Sequence, residues 1–542
     1  MMCRNPLSCQ SSHQVKSGKV HPLLALTVIP ASDKLLTMTS MRQTGSERPT
    51  MKALRLALAA LCLSLASFCS ADVSGPYTYI TNATAATITD FAANTSGDLV
   101  IANQLGGKPV TCIGVGAFDR CKDLTSVTIP DSVNDMGNDA FSSCWGLTNL
   151  VIGNSVPRIG TGAFEACCSL TSVTIPNSVT NIANRAFGSC TSLTNILIPN
   201  SVTGIGEDAF AYSGLTSMTI PNTVPNIASH LFAYCSGLRS VAIPNSVTSI
   251  GDHAFDHCES LTSATLPNNL TSIGDSAFDG CIRLANVSIP GSVTNIGASA
   301  FEDCQGLTSI AIPPGVTIIQ DSSFSHCIGL KSVIIPNTVT HIEYSAFDQC
   351  LSLTSIAIPN SVISIGDWAF AGSGLTSVTI PNSVTSIRDM TFYATSLTKV
   401  TIPNSVTNLG NFAFSTCHNL RSIYFQGSPP QLGTETFTDA LNLNLTLYYL
   451  PNATNGWTNP FGGRPTKLWS PAFGTLNNIA GVISCTITGA PAIPVGLEVS
   501  SNLTTVPWIR LYTSSLDGAG TYTFTDTDAT NKPVRFYRMV GP

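Results

Sequence analysis

The stretch 249-SIGDHAFDHCESLTSATLP-267 decides the fold, because most of its pattern recurs about 23 residues before it and after it. A proline that follows an apolar residue recurs at intervals of 22 or 23 residues, at Pro176, Pro199, Pro221, Pro244, Pro267, Pro290, Pro313, Pro336, Pro359, Pro381 and Pro403. Phenylalanine recurs in the same frame, at Phe118, Phe141, Phe164, Phe187, Phe210, Phe232, Phe255, Phe278, Phe301, Phe324, Phe347, Phe370, Phe392, Phe414 and Phe437. The chain therefore contains fifteen copies of one unit, L-x-x-V-x-I-P-x-S-V-x-x-I-G-x-x-A-F-x-x-C-x-x.

One unit is too short to bury its own apolar face, so the units are expected to stack. A run such as LTSVTI alternates apolar and polar residues and is rich in β-branched side chains, which predicts a short strand. Proline and asparagine end that strand, because proline cannot donate to a sheet hydrogen bond and asparagine tolerates turns. SVTSIG predicts a second, shorter extended edge, and GDHAFDHC is expected to cross back as one helical or 3-10 turn. Stacked strands would form a parallel sheet with a rise of about 4.8 Å per unit, roughly 70 Å in all.

The repeated elements IP, IG, AF and C resemble the BspA-like, or Treponema-type, leucine-rich repeat of bacterial surface proteins. The resemblance covers about Tyr77 to Trp469, and it is broken at Gly153, where proline is missing, and at Thr391, which replaces alanine. It implies a mainly β fold with short helical or 3-10 turns. That fold is a leucine-rich repeat solenoid, a parallel sheet of about 15 rungs of 22–23 residues, followed by a small C-terminal β-sandwich-like domain.

The rest of the chain is divided around this array. Residues 72–112 are predicted to cap the solenoid, 113–437 to form the repeats and 438–470 to form the C-terminal cap, because exposed end rungs need cover. Residues 471–542 contain alternating short strands separated by Gly, Pro and Asp turns, which predicts the small β domain. This segment resembles C-terminal β modules of exported bacterial proteins, and a role in sorting or surface attachment is a hypothesis that rests on that analogy.

Residues 51–71, MKALRLALAALCLSLASFCSA, have the three parts of a secretory signal peptide: a positive start, an apolar centre and a small-residue end. We interpret residues 1–50 as a leader or a mis-start of translation without defined structure. The net charge is −6 for the chain and about −12 without residues 1–71, which disfavours nucleic acid as a partner. No later segment is apolar enough to span a bilayer, so we expect a secreted or cell-surface protein, its signal peptide starting at Met51, with no membrane insertion of the mature chain.

Eleven cysteines share one position of the unit: Cys121, Cys144, Cys167, Cys190, Cys235, Cys258, Cys281, Cys304, Cys327, Cys350 and Cys417. Where that position is Ser213, Ser373 or Thr395, the unit is one residue shorter, which indicates that the cysteine marks a turn geometry rather than a reactive group. Buried thiols and a disulfide ladder both remain open in an exported protein. Parallel Cβ vectors on neighbouring rungs fit a disulfide poorly, which favours thiols.

The opening stretch also holds Asp252, His253, Asp256, His257 and Cys258 within seven residues, a composition that suits a metal site. Cys258 belongs to the repeated column, whereas the histidines occupy variable positions, and no neighbouring unit completes a ligand set, although Asp252 and His257 could meet. We therefore predict solvated loop residues, with no metal, no cofactor and no catalytic residue. The chain contains no G-x-S-x-G, H-E-x-x-H or P-loop motif, so it is not expected to be an enzyme.

Strand positions between the inward apolar residues are predicted to face the concave side, where they form a hydroxyl-rich surface with few charges. The candidate binding surface consists of Ser217, Thr219, Arg239, Ser240, Ser263, Thr265, Lys331, Ser332, Ser377, Thr379, Lys399, Thr401, Arg421 and Tyr424. Either these are simply favourable strand residues, or they meet an extended partner, an extracellular protein or polysaccharide. Affinity would be spread thinly, because the aromatic and arginine anchors that dominate interfaces are scarce.

The sequence thus predicts an exported, non-catalytic leucine-rich-repeat protein that mediates adhesion or protein–protein interaction at the bacterial cell surface. Members of the resembled family bind host matrix proteins or other cells, and that expectation comes from the resemblance alone. The alternative is a structural surface or matrix component without a specific ligand, which the near-uniform repeat favours.

Overall fold

The computed structural model describes residues 71–438, 444–450, 455–469, 472–479, 482–488, 494–500, 508–515, 521–526 and 535–540. Within these ranges the chain forms a parallel β-solenoid of about 16 turns, followed by further β-strands, and it contains no helix. The interpretations of residues 1–50 and of the signal peptide at 51–71 concern residues 1–70, which lie outside the described part. The predicted solenoid fold is confirmed.

An antiparallel segment opens the solenoid. Strands Asp72–Ser74, Tyr77–Thr81 and Ala86–Phe91 pair in sequence order, and Ala86–Phe91 then pairs in parallel with Lys108–Ile113. A short strand, Gln104–Leu105, forms a hairpin with the start of Lys108–Ile113. The first rung of the parallel array is therefore covered by strands that run in both directions.

Two parallel strand ladders run the length of the solenoid, and we call the one with the longer strands the concave ladder. Neighbouring strands pair with an offset of one repeat, as in Ser217↔Ser240 and Ser240↔Ser263. Its strands are Gly97–Val100, Leu124–Thr128, Asn149–Val151, Ser172–Thr174, Ser217–Thr219, Ser240–Ala242, Ser263–Thr265, Asn286–Ser288, Ser309–Ala311, Ser332–Ile334, Ser355–Ile356, Ser377–Val378, Lys399–Ile402, Ser422–Phe425, Thr446–Tyr449 and Thr466–Leu468.

The second ladder follows the proline turn of each rung and consists of strands of two residues. Its members are Asp135–Met136, Arg158–Ile159, Asn181–Ile182, Gly204–Ile205, Asn226–Ile227, Ser249–Ile250, Ser272–Ile273, Asn295–Ile296, Ile318–Ile319, His341–Ile342, Ser364–Ile365, Ser386–Ile387, Asn408–Leu409 and Gln431–Leu432. The second residue of nearly every pair is buried, because this ladder closes one side of the core.

The crossing segment of each rung is a run of turns. It extends from two residues before the repeated phenylalanine to two residues after it. Among the described residues, twenty-five non-glycine positions have a left-handed backbone with φ between 50° and 62°, and each lies two residues before or after a repeated phenylalanine. From the segment of Phe118 to that of Phe414, three alternate N–H groups donate to carbonyls of the next rung, at 2.7–2.8 Å in the rung of Phe255. The predicted helical or 3-10 turn is therefore wrong, because a left-handed residue at every fourth position interrupts helical propagation.

The core is built from columns of identical residues, one residue per rung. From Phe118 to Phe437 the phenylalanine rings stack with centroids 4.6–6.3 Å apart and planes within 18° of parallel. Phe91 extends the column by one further ring, 4.7 Å from Phe118. Sequence reasoning missed Phe91, because it lies in the antiparallel opening segment and not in the repeat frame.

None of the fourteen cysteines among the described residues forms a disulfide, and the column cysteines are buried. Ten column thiols donate to the carbonyl of the phenylalanine one rung earlier, at 3.0–3.3 Å. Burial raises the pKa of Cys235 to about 11 and the pKa of Cys121 to about 12. Because the thiolate is the reactive form of cysteine, burial disfavours reactivity at these two positions, and the column packs as part of the core.

The C-terminal strands form two antiparallel sheets of three strands each. Ala472–Ile479 pairs with Val482–Thr488, which also pairs with Thr521–Asp526. In the other sheet, Pro494–Ser500 is central and pairs with both Ile509–Ser515 and Phe536–Val540. The buried Asp526 of the first sheet forms an ion pair with Arg535 and accepts a hydrogen bond of 2.7 Å from the Tyr537 hydroxyl of the second sheet. These contacts link the ends of the two sheets. The arrangement agrees with the predicted small β domain.

Candidate functional site

The structure places thirteen of the fourteen predicted surface residues where solvent reaches them. Lys399 and Thr401 are half-buried, and the exposed members are Ser217, Thr219, Arg239, Ser240, Ser263, Thr265, Lys331, Ser332, Ser377, Thr379 and Arg421. The parallel register aligns the hydroxyls in columns, with Ser217, Ser240 and Ser263 paired directly across three rungs. At a rise of about 4.8 Å per rung, these columns form a regular array of donors and acceptors.

A second set of hydroxyls, just before the concave strands, is already used inside the protein. The Oγ1 atom of Thr148 donates to the carbonyl of Thr125 at 2.9 Å, and Thr171 repeats the contact one rung later at 3.2 Å. Thr216, Thr262, Thr376 and Thr398 make the equivalent bonds. The sequence pattern could not separate these structural hydroxyls from the free ones, because both occur in the same T-S motif.

A groove of about 520 Å³ lies on the concave side between Ser355 and Gln426. Ser377, Thr379, Lys399 and Thr401 from the predicted surface line it. It also includes Asn360, Asn382 and Gln426, which sequence reasoning did not assign to the site. The asparagines follow the repeated proline, so their column was visible in the sequence, but their position beside the groove depends on the proline turn. Hydroxyl, amide and one ammonium group over an apolar floor suit a polar, extended ligand.

Tyr424 is not part of the exposed surface, which corrects one predicted site residue. Its side chain is 5% exposed and stacks on Tyr448, with ring centroids 5.1 Å apart. Cys485, Leu497 and Phe524 of the C-terminal strands complete the same buried cluster and cover the tyrosine. The C-terminal β domain therefore covers part of the concave ladder at this end, beside the groove.

The acidic and imidazole cluster of the opening stretch is joined through Asp256 rather than Asp252. The Asp256 carboxylate, 6% exposed, lies 2.5 Å from Nδ1 of His257 and 3.3 Å from Nδ1 of His253. Burial alone would lower the pKa of His257, but the hydrogen bond and charge of Asp256 raise it. Asp252 instead accepts a hydrogen bond from the backbone N–H of Asp275 at 3.0 Å. The histidines are half-exposed as predicted, but the carboxylate between them is buried.

Stacked side chains continue this cluster along the crossing side. Tyr212, Tyr234 and His257 stack at 4.7 and 4.9 Å, and His230 stacks on His253 at 4.7 Å. The stack ends where Gly280 leaves room for the His257 ring, since a Cβ atom there would lie 3.0 Å from the ring. Both imidazoles place Nδ1 within hydrogen-bonding distance of the Asp256 carboxylate, so hydrogen bonds hold this cluster together.

The described ranges contain no group of three or more His, Cys, Asp or Glu side chains arranged to hold a metal ion. They also contain no helix of the length and apolar character needed to cross a membrane.

Comparisons with known proteins agree with this architecture. A family model for the BspA type Leucine rich repeat region (6 copies) matches residues 111–239, 226–354 and 340–456, which together make up more than half of the chain. No curated protein matches the chain.

Several solved structures are similar. A leucine-rich repeat protein from Bacteroides ovatus is 23% identical, with 75% of this chain and 99% of that chain covered and a TM-score of 0.49. A leucine rich cell surface protein from Faecalibacterium prausnitzii is 28% identical, with 71% and 95% covered and a TM-score of 0.37. The pneumococcal vaccine antigen PcpA is 19% identical, with 71% and 94% covered and a TM-score of 0.43.

Proposed function

The chain belongs to the BspA-type leucine-rich repeat family, and on that premise we propose that it is an exported, non-catalytic protein that mediates adhesion or protein–protein interaction at the bacterial cell surface. The observation that carries the proposal is the concave ladder, where exposed serine hydroxyls such as those of Ser217, Ser240 and Ser263 are aligned from rung to rung. Repeat solenoids use such extended surfaces to bind partners.

Location outside the cell is part of the proposal. It is supported by residues 51–71, whose positive start, apolar centre and small-residue end have the pattern of a signal peptide. Deleting residues 51–71 should retain the protein inside the cell, and fractionation followed by immunodetection measures this. Export of the deleted form would refute the location.

The absence of catalysis is also proposed, because repeat families of this kind typically bind rather than catalyse. The groove beside Lys399 offers hydroxyl, amide and ammonium groups, but its lining contains no histidine, cysteine or carboxylate that could act as acid, base or nucleophile. This composition supports binding over chemistry.

Immobilised full-length protein tests the adhesive role against a panel of extracellular-matrix proteins, bacterial cell walls and polysaccharides. Saturable binding is expected, and a concave pair of bulky substitutions, Ser263→Trp with Ser309→Trp, should abolish it by blocking the free hydroxyl column. The matched control is Glu259→Trp with Gln305→Trp, two exposed positions beyond the crossing segment of the same rungs, which should leave binding intact.

Two outcomes would contradict the proposal. Loss of binding in the control pair alone would move recognition to the crossing side. No saturable binding by the unmodified protein would favour the structural alternative, a surface or matrix component without a specific ligand, which the near-uniform repeat also supports.

A further inference from the structure

Charge is divided between the two sides of the solenoid. From residue 216 to 427 the chain has twelve acidic residues, and none lies in the segments that carry the concave strands. Those segments are 216–222, 239–245, 262–268, 285–291, 308–314, 331–337, 354–360, 376–382, 398–404 and 421–427. Every carboxylate of this stretch therefore lies in the second ladder, the crossing segment or the turns beside them.

The cations are distributed in the opposite way. Four of the six Lys and Arg residues between 216 and 427 lie in the concave segments, namely Arg239, Lys331, Lys399 and Arg421. Arg239, Lys331 and Arg421 are exposed, and no ion pair within the described part of the chain neutralises them. Each replaces the threonine that other rungs place just before the concave strand, so a structural hydroxyl is exchanged for a free positive charge.

The hydroxyls between these cations are also free. Ser240, Ser263, Ser309, Ser332 and Ser377 make no side-chain hydrogen bond among the described residues, whereas the neighbouring threonine column is bonded from rung to rung. An exposed serine hydroxyl can donate one hydrogen bond and accept two. The concave face thus combines positive charges with a lattice of unused hydroxyls.

We propose that the concave face from Arg239 to Arg421 binds an extended anionic polysaccharide, an inference that rests on the proposed binding function and names its partner. The cations are separated by four, three and one rungs, so a chain laid along the solenoid axis over roughly 40 Å meets all of them. Acidic groups on the opposite side repel the same ligand, which restricts it to this face.

A polysaccharide fits this face better than an acidic protein does. Protein interfaces are built around an apolar core with aromatic anchors, and Ile334 is the one large apolar side chain exposed on the described concave strands of this stretch. A uronate-containing polysaccharide presents hydroxyls and carboxylates along its length, which pair with the serine hydroxyls and the cations without needing an apolar core.

Binding of the full-length protein to polygalacturonate, measured by biolayer interferometry at increasing salt, tests the proposal. The test variant, Arg239→Thr with Lys331→Thr and Arg421→Thr, restores the residue that the repeat normally has. The matched control, Lys122→Thr with Arg158→Thr and Arg388→Thr, removes the same charge from exposed positions elsewhere. We expect saturable, salt-sensitive binding that falls roughly tenfold in the test variant and stays within about twofold in the control.

The other outcomes overturn the inference in distinguishable ways. Equal loss in both triple variants would mean that net charge and not the concave face governs binding. Equal or tighter binding to poly-glutamate than to polygalacturonate would assign the face to an acidic polypeptide, and equal binding to uncharged dextran would remove the role of the cations. Binding to matrix proteins but not to polygalacturonate would refute this inference while leaving the proposed adhesive function standing.

Discussion

The concave ladder and the crossing segments belong to the same repeated unit but tolerate change for different reasons. On the concave side, exposed Ser and Thr side chains alternate with buried Val and Ile on extended backbone, so the outward residue is free to vary. On the crossing side, the described residues two before and two after the repeated phenylalanines have a left-handed conformation whatever their type, as at Ser276 and Trp368. Backbone geometry therefore constrains the outward positions of the crossing side, whereas the extended backbone leaves those of the concave side unconstrained.

The largest expected change in the free energy of unfolding comes from a substitution in the core of the crossing segment. Phe278→Ala should lower the free energy of unfolding by about 3–5 kcal/mol, because it leaves a cavity in the ring column. The ring it removes contacts Phe255 at 5.1 Å and Phe301 at 5.3 Å. Urea unfolding followed by tryptophan fluorescence measures the loss. Ser263→Ala on the concave side, the control, should change stability by less than about 0.5 kcal/mol, and similar losses in both variants would break the comparison.

Backbone conformation on the crossing side gives the next effect. Gly280→Ala should destabilise by about 1–2 kcal/mol, because it places a Cβ atom on a left-handed residue with φ of 65°, 3.0 Å from the His257 ring. Ser276→Gly, at the partner left-handed position with φ of 50°, should instead leave stability unchanged or raise it by up to about 1 kcal/mol. Thermal unfolding midpoints measure both changes, and a destabilising Ser276→Gly would show that its backbone carries no strain.

A pH effect is expected on the crossing side alone. Burial, with the nearby charges of Asp256 and Glu302, raises the pKa of Asp279 to about 7, well above the ordinary value for aspartate of about 4. The folded protein then binds more protons than the unfolded chain between these values, so the free energy of unfolding falls as pH rises from about 4 to 7. The raised pKa values of His257, Glu165 and Asp348 act in the same direction.

Urea midpoints at pH 5 and pH 8 measure this dependence. The protein should be more stable at pH 5, and Asp279→Asn should reduce the difference between the two midpoints. Glu207→Gln, an exposed carboxylate of another rung, is the control and should leave the difference unchanged. A larger midpoint at pH 8 would show that the carboxylates are not desolvated by the fold.

The smallest expected change in stability distinguishes a bonded hydroxyl, that of Thr148, from a free one, that of Ser332, although the two residue types occur side by side in the same sequence motif. Thr148→Val removes a hydroxyl that donates to the Thr125 carbonyl at 2.9 Å and should cost about 0.5 kcal/mol. Ser332→Ala removes a free hydroxyl and should leave stability unchanged while weakening ligand binding. Paired unfolding and binding measurements check this, and a stability loss in Ser332→Ala would mean that its hydroxyl is structural after all.

These contrasts show how far the sequence determined the fold. The column from Phe118 to Phe437 could be predicted, because its period is fixed by the stacking of identical units. The left-handed positions could not, because residues as different as Ser276, His253 and Trp368 occupy them and no single residue type marks the site. The backbone there is imposed by rung-to-rung hydrogen bonds, which only the assembled solenoid makes.

The same limit applies to the candidate site. The free serine column and the cations just before the strands were visible from strand periodicity alone. The burial of Tyr424 was not, because the residues that cover it, among them Cys485 and Leu497, lie far along the chain in a segment with a different pattern. The contacts of Asp256 with His253 and His257 were missed for a related reason, since they depend on which way each turn residue points.

The hydrogen bonds of the crossing segments have a consequence for the molecule as a whole. In the rung of Phe255, three alternate N–H groups of the crossing segment donate toward the C-terminal end of the solenoid. In the same rung, the backbone N–H groups of Thr248 and Gly251 donate in the opposite direction, to carbonyls of the preceding rung. The peptide dipoles of the two sets oppose each other along the axis, so stacking rungs adds hydrogen bonds without building up the end charges of a long α-helix.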